Sequence, residues 1–472
     1  MTYAENHLAH ALRANEQPAR PFILNPTPLT YAAFWLGAER LASALAIAPG
    51  DRVAMQLEKS VEAVQLYLAT VLAGGIFLPL NPAYTDAELR YFLEDATPTV
   101  FVHAPERAGN WPVPRAITMQ GLLAEGSDGF TPVPRKPEDL AAILYTSGTT
   151  GRSKGAMLSH RALASNSKTL QEYWRFTRDD VLIHALPVFH THGLFVATNV
   201  ALIAGAALEF LPKFDPAAIM EAMPRSTALM GVPTFYTRLL KEPELEQASR
   251  NMRLFISGSA PLLAHTHMAW EARTGHTILE RYGMTETNMN TSNPYKGARK
   301  AGTVGLPLPG VEVRIDAPAG EIGVIEVRGE NLFSGYWNMP EKTAEELRAD
   351  GWFVTGDLGQ RDAGGYVTIV GRGKDLVISG GFNVYPKEVE DLLDALPMVE
   401  ESAVIGVPDT DLGERVVAVV KAAKSTSEAE IMAAAGQSLA RYKCPRAVHF
   451  VEELPRNTMG KVQKNLLRDS YG

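Results

Sequence analysis

The sequence predicts an α/β protein of more than one domain, and three observations lead to this prediction. The chain has 472 residues, which is too long for one ordinary hydrophobic core. Strand-like and helix-like apolar stretches alternate through its first two thirds, a pattern typical of layered sheets with parallel strands. A glycine-flanked charged break at residues 372–375 then separates the last hundred or so residues from the rest.

The alternation is clearest near the N-terminus. Arg52–Leu57 is predicted as a strand, Val61–Leu72 as a helix, and Ile76–Leu80 as a strand that ends at an Asn-Pro turn signal. Leu140–Tyr145 is predicted as another buried strand, whereas Ala156–Trp174 has helical spacing. These assignments place a glycine-rich segment between a buried strand and a helix.

The last part of the chain has predicted elements of its own. Ser402–Val407 and Val416–Lys421 are predicted as strands, and Glu428–Ala440 as a helix. The expected division of the chain is therefore 1–372, 373–375 and 376–472.

Composition excludes several classes of protein. Hydrophobic residues make up 46% and charged residues 21%, with a net charge of −8, so a nucleic-acid binder is not expected. Cys444 is the single cysteine, which excludes an intrachain disulfide and fits a reducing, cytoplasmic setting. Met1–Arg20 lacks the apolar run of a secretory signal. The longest apolar stretch, Gly193–Leu211, is interrupted by polar residues and is expected in the core rather than in a membrane.

The segment Thr146–Gly155 is the first that carries chemistry. It is rich in glycine and hydroxyl groups, and it contains Lys154. Glycines let backbone N–H groups approach phosphate oxygens, hydroxyls donate further hydrogen bonds, and the lysine adds positive charge. A Walker loop is excluded because Gly155, rather than Ser or Thr, follows the lysine. We predict a phosphate-binding loop of another kind; the alternative is a polar surface loop.

This loop resembles the signature of the adenylate-forming superfamily, which includes acyl-CoA synthetases, luciferases and peptide-synthetase adenylation domains. Further segments match in the expected order over essentially the whole chain: Tyr282–Glu286, Gly335–Trp337, Thr355–Asp357, Gly371–Asp375 and Pro455–Lys461. The resemblance implies a large N-terminal domain of layered, mostly parallel sheets that binds ATP and the acyl group. It also implies a small mobile α+β C-terminal domain with a catalytic lysine, and the use of ATP, Mg²⁺ and coenzyme A.

The resemblance also implies which residues bind the nucleotide. The matching positions are Thr146, Ser147, Gly148, Thr149, Thr150, Gly151, Lys154, Gly258, Ser259, Ala260, Tyr282, Gly283, Met284, Asp357 and Arg372. Asp357 matches the ribose-binding carboxylate, whose two acceptors suit a vicinal diol, and Arg372 a second contact. The alternative is that these two residues only pair with each other. Glu286 matches the metal-binding carboxylate and Thr285 a phosphate contact, since magnesium prefers oxygen ligands; a surface charge is the alternative for Glu286.

Lys461 matches the catalytic lysine of the superfamily. A lysine between the attacking carboxylate and the α-phosphate stabilises the charge that develops in the transition state and aligns the nucleophile. The alternative is a solvated residue in a C-terminal tail. Its setting after Pro455 and Gly460 also resembles a pattern acetylated in bacterial acyl-CoA synthetases, so a lysine acetyltransferase is an expected partner.

The resemblance places the remaining functional positions in the last hundred residues. Lys374 matches the hinge about which the small domain is thought to turn between the two half-reactions. Gly380 and Gly381 match the tunnel through which coenzyme A reaches the acyl group. Lys443 and Arg446 are candidates for binding the phosphates of coenzyme A.

The acyl group is indicated by Arg281. The matching acyl residues are Arg281, His190 and Ser259, and His192 is a further candidate. Related synthetases for fatty or aromatic acids carry a small residue where Arg281 stands, and a guanidinium facing the pocket would bind a second carboxylate bidentately. The run from Arg281 to Thr291 resembles malonyl-CoA synthetases most closely. A surface or interdomain salt bridge is the alternative for Arg281, and a core histidine is the alternative for His190.

Three hypotheses about function remain open. The first is a malonate–CoA ligase, with methylmalonate as a further substrate, and the second is a CoA ligase for another short-chain or aryl acid. The third is a non-catalytic nucleotide-binding regulator, which we expect to have lost Lys461 or Glu286, although both are present. A membrane protein is not expected.

Overall fold

The structure is a computed structural model that describes residues 3–146, 153–423, 425–457 and 460–472. The strands are β1 (Pro21–Asn25), β2 (Leu29–Thr30), β3 (Arg52–Gln56), β4 (Ile76–Pro79), β5 (Val100–His103), β6 (Arg115–Thr118), β7 (Leu140–Thr146), β8 (Lys154–Ser159), β9 (Val181–His184), β10 (Ala207–Phe210), β11 (Ala228–Gly231), β12 (Leu254–Ser257), β13 (Leu279–Met284), β14 (Asn288–Ser292), β15 (Leu306–Pro307), β16 (Val311–Asp316), β17 (Gly323–Gly329), β18 (Phe353–Arg361), β19 (Val367–Arg372), β20 (Val377–Ser379), β21 (Phe382–Val384), β22 (Val399–Asp409), β23 (Gly413–Ala422) and β24 (Ala447–Phe450).

The helices lie mainly between these strands. The α-helices are α1 (His7–Leu12), α2 (Tyr31–Leu45), α3 (Val61–Leu72), α4 (Asp86–Ala96), α5 (Met119–Glu125), α6 (His160–Tyr173), α7 (Asn199–Ala204), α8 (Pro216–Ala222), α9 (Pro233–Leu239), α10 (Leu245–Ala248), α11 (Ala264–Thr274), α12 (Pro340–Glu346), α13 (Pro386–Asp394), α14 (Glu428–Ser438) and α15 (Lys464–Tyr471). A π-helix spans His192–Thr198 and runs directly into α7. Short 3₁₀ helices span Tyr3–Glu5, Pro105–Arg107, Met223–Arg225, Ser249–Asn251 and Gly373–Asp375.

Two mostly parallel sheets form the larger part of the molecule, as predicted. One has the strand order β6-β5-β3-β4-β7-β8, and the other has the order β15-β14-β13-β12-β11-β9-β10-β1-β2. Their central strands pair in parallel, whereas β8 and the strands at both ends of the second sheet pair antiparallel. Parallel strands bring their carboxyl ends to one edge, where α/β proteins bind their ligands.

The helix predicted over Val61–Leu72 is confirmed with both of its ends. Ser60 caps it, since its hydroxyl accepts the backbone N–H of Ala63 at 3.1 Å, which satisfies an orphan donor of the first turn. Nearly every side chain of this helix is buried. An all-round apolar sequence therefore signalled a helix packed inside the molecule rather than on its surface.

The helix predicted over Ala156–Trp174 is wrong in its first residues. Lys154–Ser159 forms β8, which returns antiparallel along β7, and the helix begins only at His160. The side chain of Ser159 accepts the N–H of Ala162 at 3.1 Å and so fixes this later start. Pairing with β7 satisfies the backbone of this segment and overrides its helical spacing.

A third, antiparallel sheet, β16-β17-β18-β19, continues from the second and carries the Thr355–Asp357 and Gly371–Asp375 segments. Strands β20 to β24 then form a separate sheet, which packs with α13 and α14 around its own apolar cluster. This cluster and the one on the other face of the sheet share no residue with the core before residue 376. The C-terminal domain is therefore a separate unit, while its boundary and the 373–375 hinge stay predictions.

The apolar stretch Gly193–Leu211 lies in the core of the larger domain. It forms most of the π-helix, α7 and β10, and nearly all of its side chains are buried. Among the residues that the structure describes, no helix is long and apolar enough to cross a bilayer.

Candidate active site

The segment Tyr282–Glu286 lies at the end of β13 and in the tight turn that leads to β14. A Cβ atom at Gly283 would lie 1.8 Å from the carbonyl oxygen of Asn288, so only glycine allows this close return. The turn leaves Thr285 half-buried and Glu286 buried. The backbone of Phe333 donates to the Glu286 carbonyl at 2.7 Å and fixes the turn from the neighbouring segment.

Glu286 belongs to a chain of charged and hydroxyl groups. The Tyr336 hydroxyl lies 3.0 Å from Glu286 Oε1 and 2.6 Å from Glu346 Oε2. Lys154 Nζ donates to Glu346 Oε1 at 3.2 Å and to the Tyr336 hydroxyl at 3.1 Å. Burial raises the pKa of Glu286, which Tyr336 and Lys154 oppose. The structure thus joins the lysine and the carboxylate that the sequence assigned to phosphate and metal.

The environment of Glu286 fits one ligand of a magnesium ion that is carried by a nucleotide. In the described ranges, no group of three or more His, Cys, Asp or Glu side chains is arranged to hold a metal. Mg²⁺ usually takes one or two carboxylates and completes its octahedron with water and substrate phosphates. A single buried carboxylate within reach of Lys154 suits that mode and does not suit an all-protein cage.

Asp357 and Arg372 face each other on β18 and β19. Arg372 Nε lies 2.9 Å from Asp357 Oδ1, and the Tyr282 hydroxyl donates to Asp357 Oδ2 at 2.5 Å. The pairing that the sequence left as an alternative is therefore present. It leaves room for the ribose role, since a carboxylate offers about four acceptor positions and two donors occupy only part of them.

Arg281 is buried beneath the loop that follows β12. It is 4% exposed, and a Cβ atom at Gly258 would lie 2.4 Å from its Cζ atom. Nε and Nη2 are buried and have no hydrogen-bond partner. Burial lowers the pKa of Arg281 to about 9, which leaves the guanidinium charged at neutral pH. In the described part of the chain no carboxylate forms an ion pair with it, so the salt-bridge alternative is wrong there.

His190 and His192 precede and begin the π-helix. Burial lowers the pKa of His190 to about 3, with Lys461 and Arg281 lowering it further, so the ring is neutral. The backbone N–H of His192 donates to His190 Nδ1 at 3.4 Å, which leaves Nε2 as the ring donor. His192 Nδ1 lies 3.2 Å from the Ser259 hydroxyl, and its Nε2 is buried without a partner. Burial and Arg281 also lower the pKa of His192, so both rings are neutral. The positive charge beside them comes from Arg281 and, for His190, also from Lys461.

Ser259 lies in the loop after β12, between Gly258 and Ala260. Its backbone has φ +72°, a left-handed conformation that is costly for a residue with a side chain. This conformation directs the hydroxyl to His192 while Gly258 packs on Arg281. The predicted acyl residues Arg281 and Ser259 are thereby brought to one wall with His192.

Lys461 is presented by a tight turn of the C-terminal domain. Its N–H donates to Asn457 Oδ1 at 3.0 Å, and Gly460 has φ +74°. A Cβ atom at Gly460 would lie 3.7 Å from Thr234 Oγ1 on α9, so the turn touches the larger domain.

The charges that act most strongly on Lys461 belong to the larger domain. Surrounding protein and Arg372 lower its pKa, while Asp357 and Glu286 raise it. Lys461 itself is exposed, so solvent still reaches the side chain that these groups surround. Lys461 is thus brought to the predicted nucleotide site.

Some predicted residues lie away from this cleft or outside the described structure. Gly380 and Gly381 form an exposed turn with φ +60° and +81°. Lys374, which precedes this turn and strand β20 in the chain, is also exposed. Lys443 pairs with Glu388 at 2.5 Å on the surface of the small domain. Ser147, Gly148, Thr149, Thr150 and Gly151 lie outside the described residues, while Thr146 bonds the carbonyl of Lys154 at 3.4 Å.

Sequence reasoning gave no role to Tyr336 and did not identify Glu346 or Thr234. The hydrogen bond from Lys154 to Glu346 spans 192 positions, so spacing along the chain carries no signal for it. Tyr336 lies in a segment that matched the superfamily, and this match was the only available signal.

Comparison with known proteins agrees with this geometry. The model of the AMP-binding enzyme family matches residues 11–337, and the model of the AMP-binding enzyme C-terminal domain matches residues 388–461. The chain is 36% identical to the malonate–CoA ligase of Arabidopsis thaliana, over 89% of this chain and 78% of that protein. It is 34% identical to the sulfoacetate–CoA ligase of Cupriavidus necator, over 96% and 95%.

The solved structures agree as well. The crystal structure of ATP-bound MatB from Rhodopseudomonas palustris is 55% identical, with a TM-score of 0.96 and 99% of both chains covered. Identity at this level over the full length, together with both family models, is sufficient for assignment. The chain belongs to the AMP-binding enzyme family.

Proposed function

We propose that this protein is an ATP-dependent malonate–CoA ligase. It converts malonate, ATP and coenzyme A to malonyl-CoA, AMP and pyrophosphate through a malonyl-adenylate. The observation that supports malonate as the substrate is the state of Arg281. Its guanidinium is buried, has two unpaired donors and has no carboxylate partner in the described structure. The malonate–CoA ligase of Arabidopsis thaliana, at 36% identity, supports the same assignment.

A buried cation without a partner is costly, and a second carboxylate on the substrate would remove that cost. The guanidinium presents a planar fork that matches a carboxylate bidentately. A neutral or apolar acyl chain would strip the remaining water from Arg281 without replacing a bond. The pocket therefore favours a short acid with a second anionic group over acetate, butyrate or an aryl acid.

The proposed roles divide the cleft between the two carboxylates of the substrate. Arg281, with Ser259 and His192 beside it, binds the distal carboxylate, while His190, whose pKa both Lys461 and Arg281 lower, contacts the reacting one. Lys461 bridges the reacting carboxylate and the α-phosphate, where charge develops during adenylation. Holding both anions in one geometry is the main catalytic contribution that this arrangement offers.

The remaining polar groups of the candidate site bind the nucleotide. Asp357 and Arg372 bind the ribose, and Lys154 binds the polyphosphate together with Thr285 and the loop after Thr146. Glu286 holds Mg²⁺, which supplies charge neutralisation at the phosphates when bound.

Coenzyme A enters past Gly380 and Gly381 after the small domain turns about Lys374. A cytoplasmic setting, supported by the single Cys444, and acetylation of Lys461 belong to the same proposal.

Two other substrates are close enough to require a direct comparison. Methylmalonate keeps both carboxylates and adds one methyl group. Sulfoacetate, named for the relative from Cupriavidus necator, replaces one carboxylate by a sulfonate. Arg281 binds either anion, so the shape of the rest of the pocket decides between them.

The test is a panel of acids with ATP, magnesium and coenzyme A, scored by AMP release. Malonate should give the highest kcat/KM, followed by methylmalonate and sulfoacetate, with acetate, butyrate and benzoate far lower. Boiled enzyme and reactions without acid serve as controls. A higher kcat/KM for butyrate or benzoate than for malonate would refute the proposal, and a preference for sulfoacetate would reassign the distal group.

A further inference from the structure

The predicted phosphate lysine already has an anionic partner. Lys154 Nζ lies 3.2 Å and 3.3 Å from the two carboxylate oxygens of Glu346, and 4.2 Å from the centre of the Tyr336 ring. The side chains of Lys154 and Glu346 are 20% and 22% exposed, so solvent can reach this pair. Lys154 thus has an anionic partner within the protein itself.

Glu346 has other donors that can hold it when Lys154 is elsewhere. Lys342 Nζ lies 3.0 Å from Glu346 Oε1, and the Tyr336 hydroxyl lies 2.6 Å from Oε2. Lys342 is 41% exposed and also pairs with Glu345. The carboxylate therefore keeps two partners after loss of the first, which makes an exchange of Lys154 inexpensive.

The position of Glu346 does not serve the helix on which it lies. It is the last residue of α12, where the partial negative charge of the helix end disfavours a carboxylate. Lys342 precedes Glu346 by four residues, which is the weaker order for such a pair. Three donors hold this carboxylate, and Lys154 on strand β8 is the one that comes from outside the segment 336–346.

We propose that Glu346 is the anion that Lys154 leaves when MgATP binds and to which it returns when pyrophosphate leaves. This rests on the proposed function, in which Lys154 binds the polyphosphate. Lys154 exchanges one anion for another, so it is not left uncompensated in either state. The Tyr336 hydroxyl, which also lies 3.0 Å from Glu286, stays with Glu346 and fixes the place of the exchange beside the metal carboxylate.

The exchange predicts that removing the charge of Glu346 strengthens nucleotide binding. Glu346→Gln keeps the shape and an acceptor oxygen but competes less for Lys154. We expect the Kd of MgATP to fall about threefold to tenfold, between the weak coupling of exposed ion pairs and that of hydrogen bonds to charged groups. Pyrophosphate should inhibit this variant more strongly, because Lys154 has no anion to return to.

The experiment is calorimetric titration of the full-length enzyme with MgATP in the absence of any acid. The matched control is Glu345→Gln, which removes the same charge one residue away. The Glu345 side chain is 64% exposed, and among the described residues its ion-pair partner is Lys342. A double-mutant cycle adds Lys154→Met alone and with Glu346→Gln. The gain in MgATP affinity should appear in Glu346→Gln and be absent in Glu345→Gln. It should vanish when Glu346→Gln is combined with Lys154→Met.

Three results would overturn the exchange. These are unchanged or weaker MgATP binding by Glu346→Gln, an equal gain in Glu345→Gln, or a gain that persists without Lys154, which would indicate general charge repulsion. A melting curve of each variant separates these results from unfolding. Because the titration contains no acid, it can fail while malonate remains the substrate, and the substrate can prove wrong while the exchange holds.

Discussion

Replacing Arg281 by alanine tests the assignment of malonate as the substrate. Arg281 is 4% exposed and has two unpaired donors, so a carboxylate bound there would be shielded from water. Removing one partner of such a charge pair costs about 2–5 kcal/mol. At 1.36 kcal/mol per tenfold, kcat/KM for malonate should fall about 30- to 5,000-fold.

The internal control is a neutral acid of similar length. Butyrate makes no ion pair with Arg281, so its kcat/KM should hold or rise when the unpaired cation is removed. Arg281→Met is a second variant, which keeps most of the side-chain volume beneath Gly258 and so separates lost charge from a new cavity. The assay is AMP release with malonate and butyrate measured side by side for each variant.

The ratio of the two substrates decides the outcome. If malonate and butyrate lose the same factor in both variants, Arg281 is a structural residue and the diacid assignment loses its main physical support. If only the alanine variant fails, the cavity rather than the charge is responsible. A selective loss for malonate in both variants is the expected result.

Further predictions concern the nucleotide and the small domain. Lys461→Ala should lose most malonate-dependent pyrophosphate release but still convert preformed malonyl-AMP to thioester, and equal loss in both half-reactions would remove its assigned role. Lys374→Pro fixes φ at the predicted hinge and should slow thioester formation far more than adenylation; normal rates in both would place the pivot elsewhere. Acetyl-lysine installed at position 461 should abolish adenylation, since the charge is lost, and undiminished activity would refute this regulation. Asp357→Asn should raise KM for ATP more than KM for malonate, and the reverse order would contradict ribose binding.

The layered α/β architecture could be predicted because its signals are local. The apolar helix Val61–Leu72 and its alternation with strands depend on neighbouring residues. The start of the helix at His160 could not, because β8 exists only through pairing with β7 across the glycine-rich loop. Tertiary pairing overrode a helical pattern there.

Part of the candidate site could be predicted where a motif carries the chemistry, but not where a long-range contact does. Glu286, Asp357 and Lys461 lie in short segments with a recognisable pattern, and in the structure Glu286 and Asp357 lie close enough to Lys461 to raise its pKa. Their roles stay predictions. The absence of a counter-ion for Arg281 within the described residues is a property of packing, and so is the pairing of Lys154 with Glu346. Neither can be read from residue type or spacing, because both depend on elements far apart in the chain.

The most direct test of the central claim is to identify the intermediate. The wild-type enzyme is incubated with malonate, ATP and magnesium but without coenzyme A, and the bound product is analysed by mass spectrometry. The account predicts malonyl-adenylate and pyrophosphate, and conversion of the adenylate to malonyl-CoA and AMP when coenzyme A is added. Formation of ADP and phosphate, or an adenylate with butyrate but not with malonate, would contradict it.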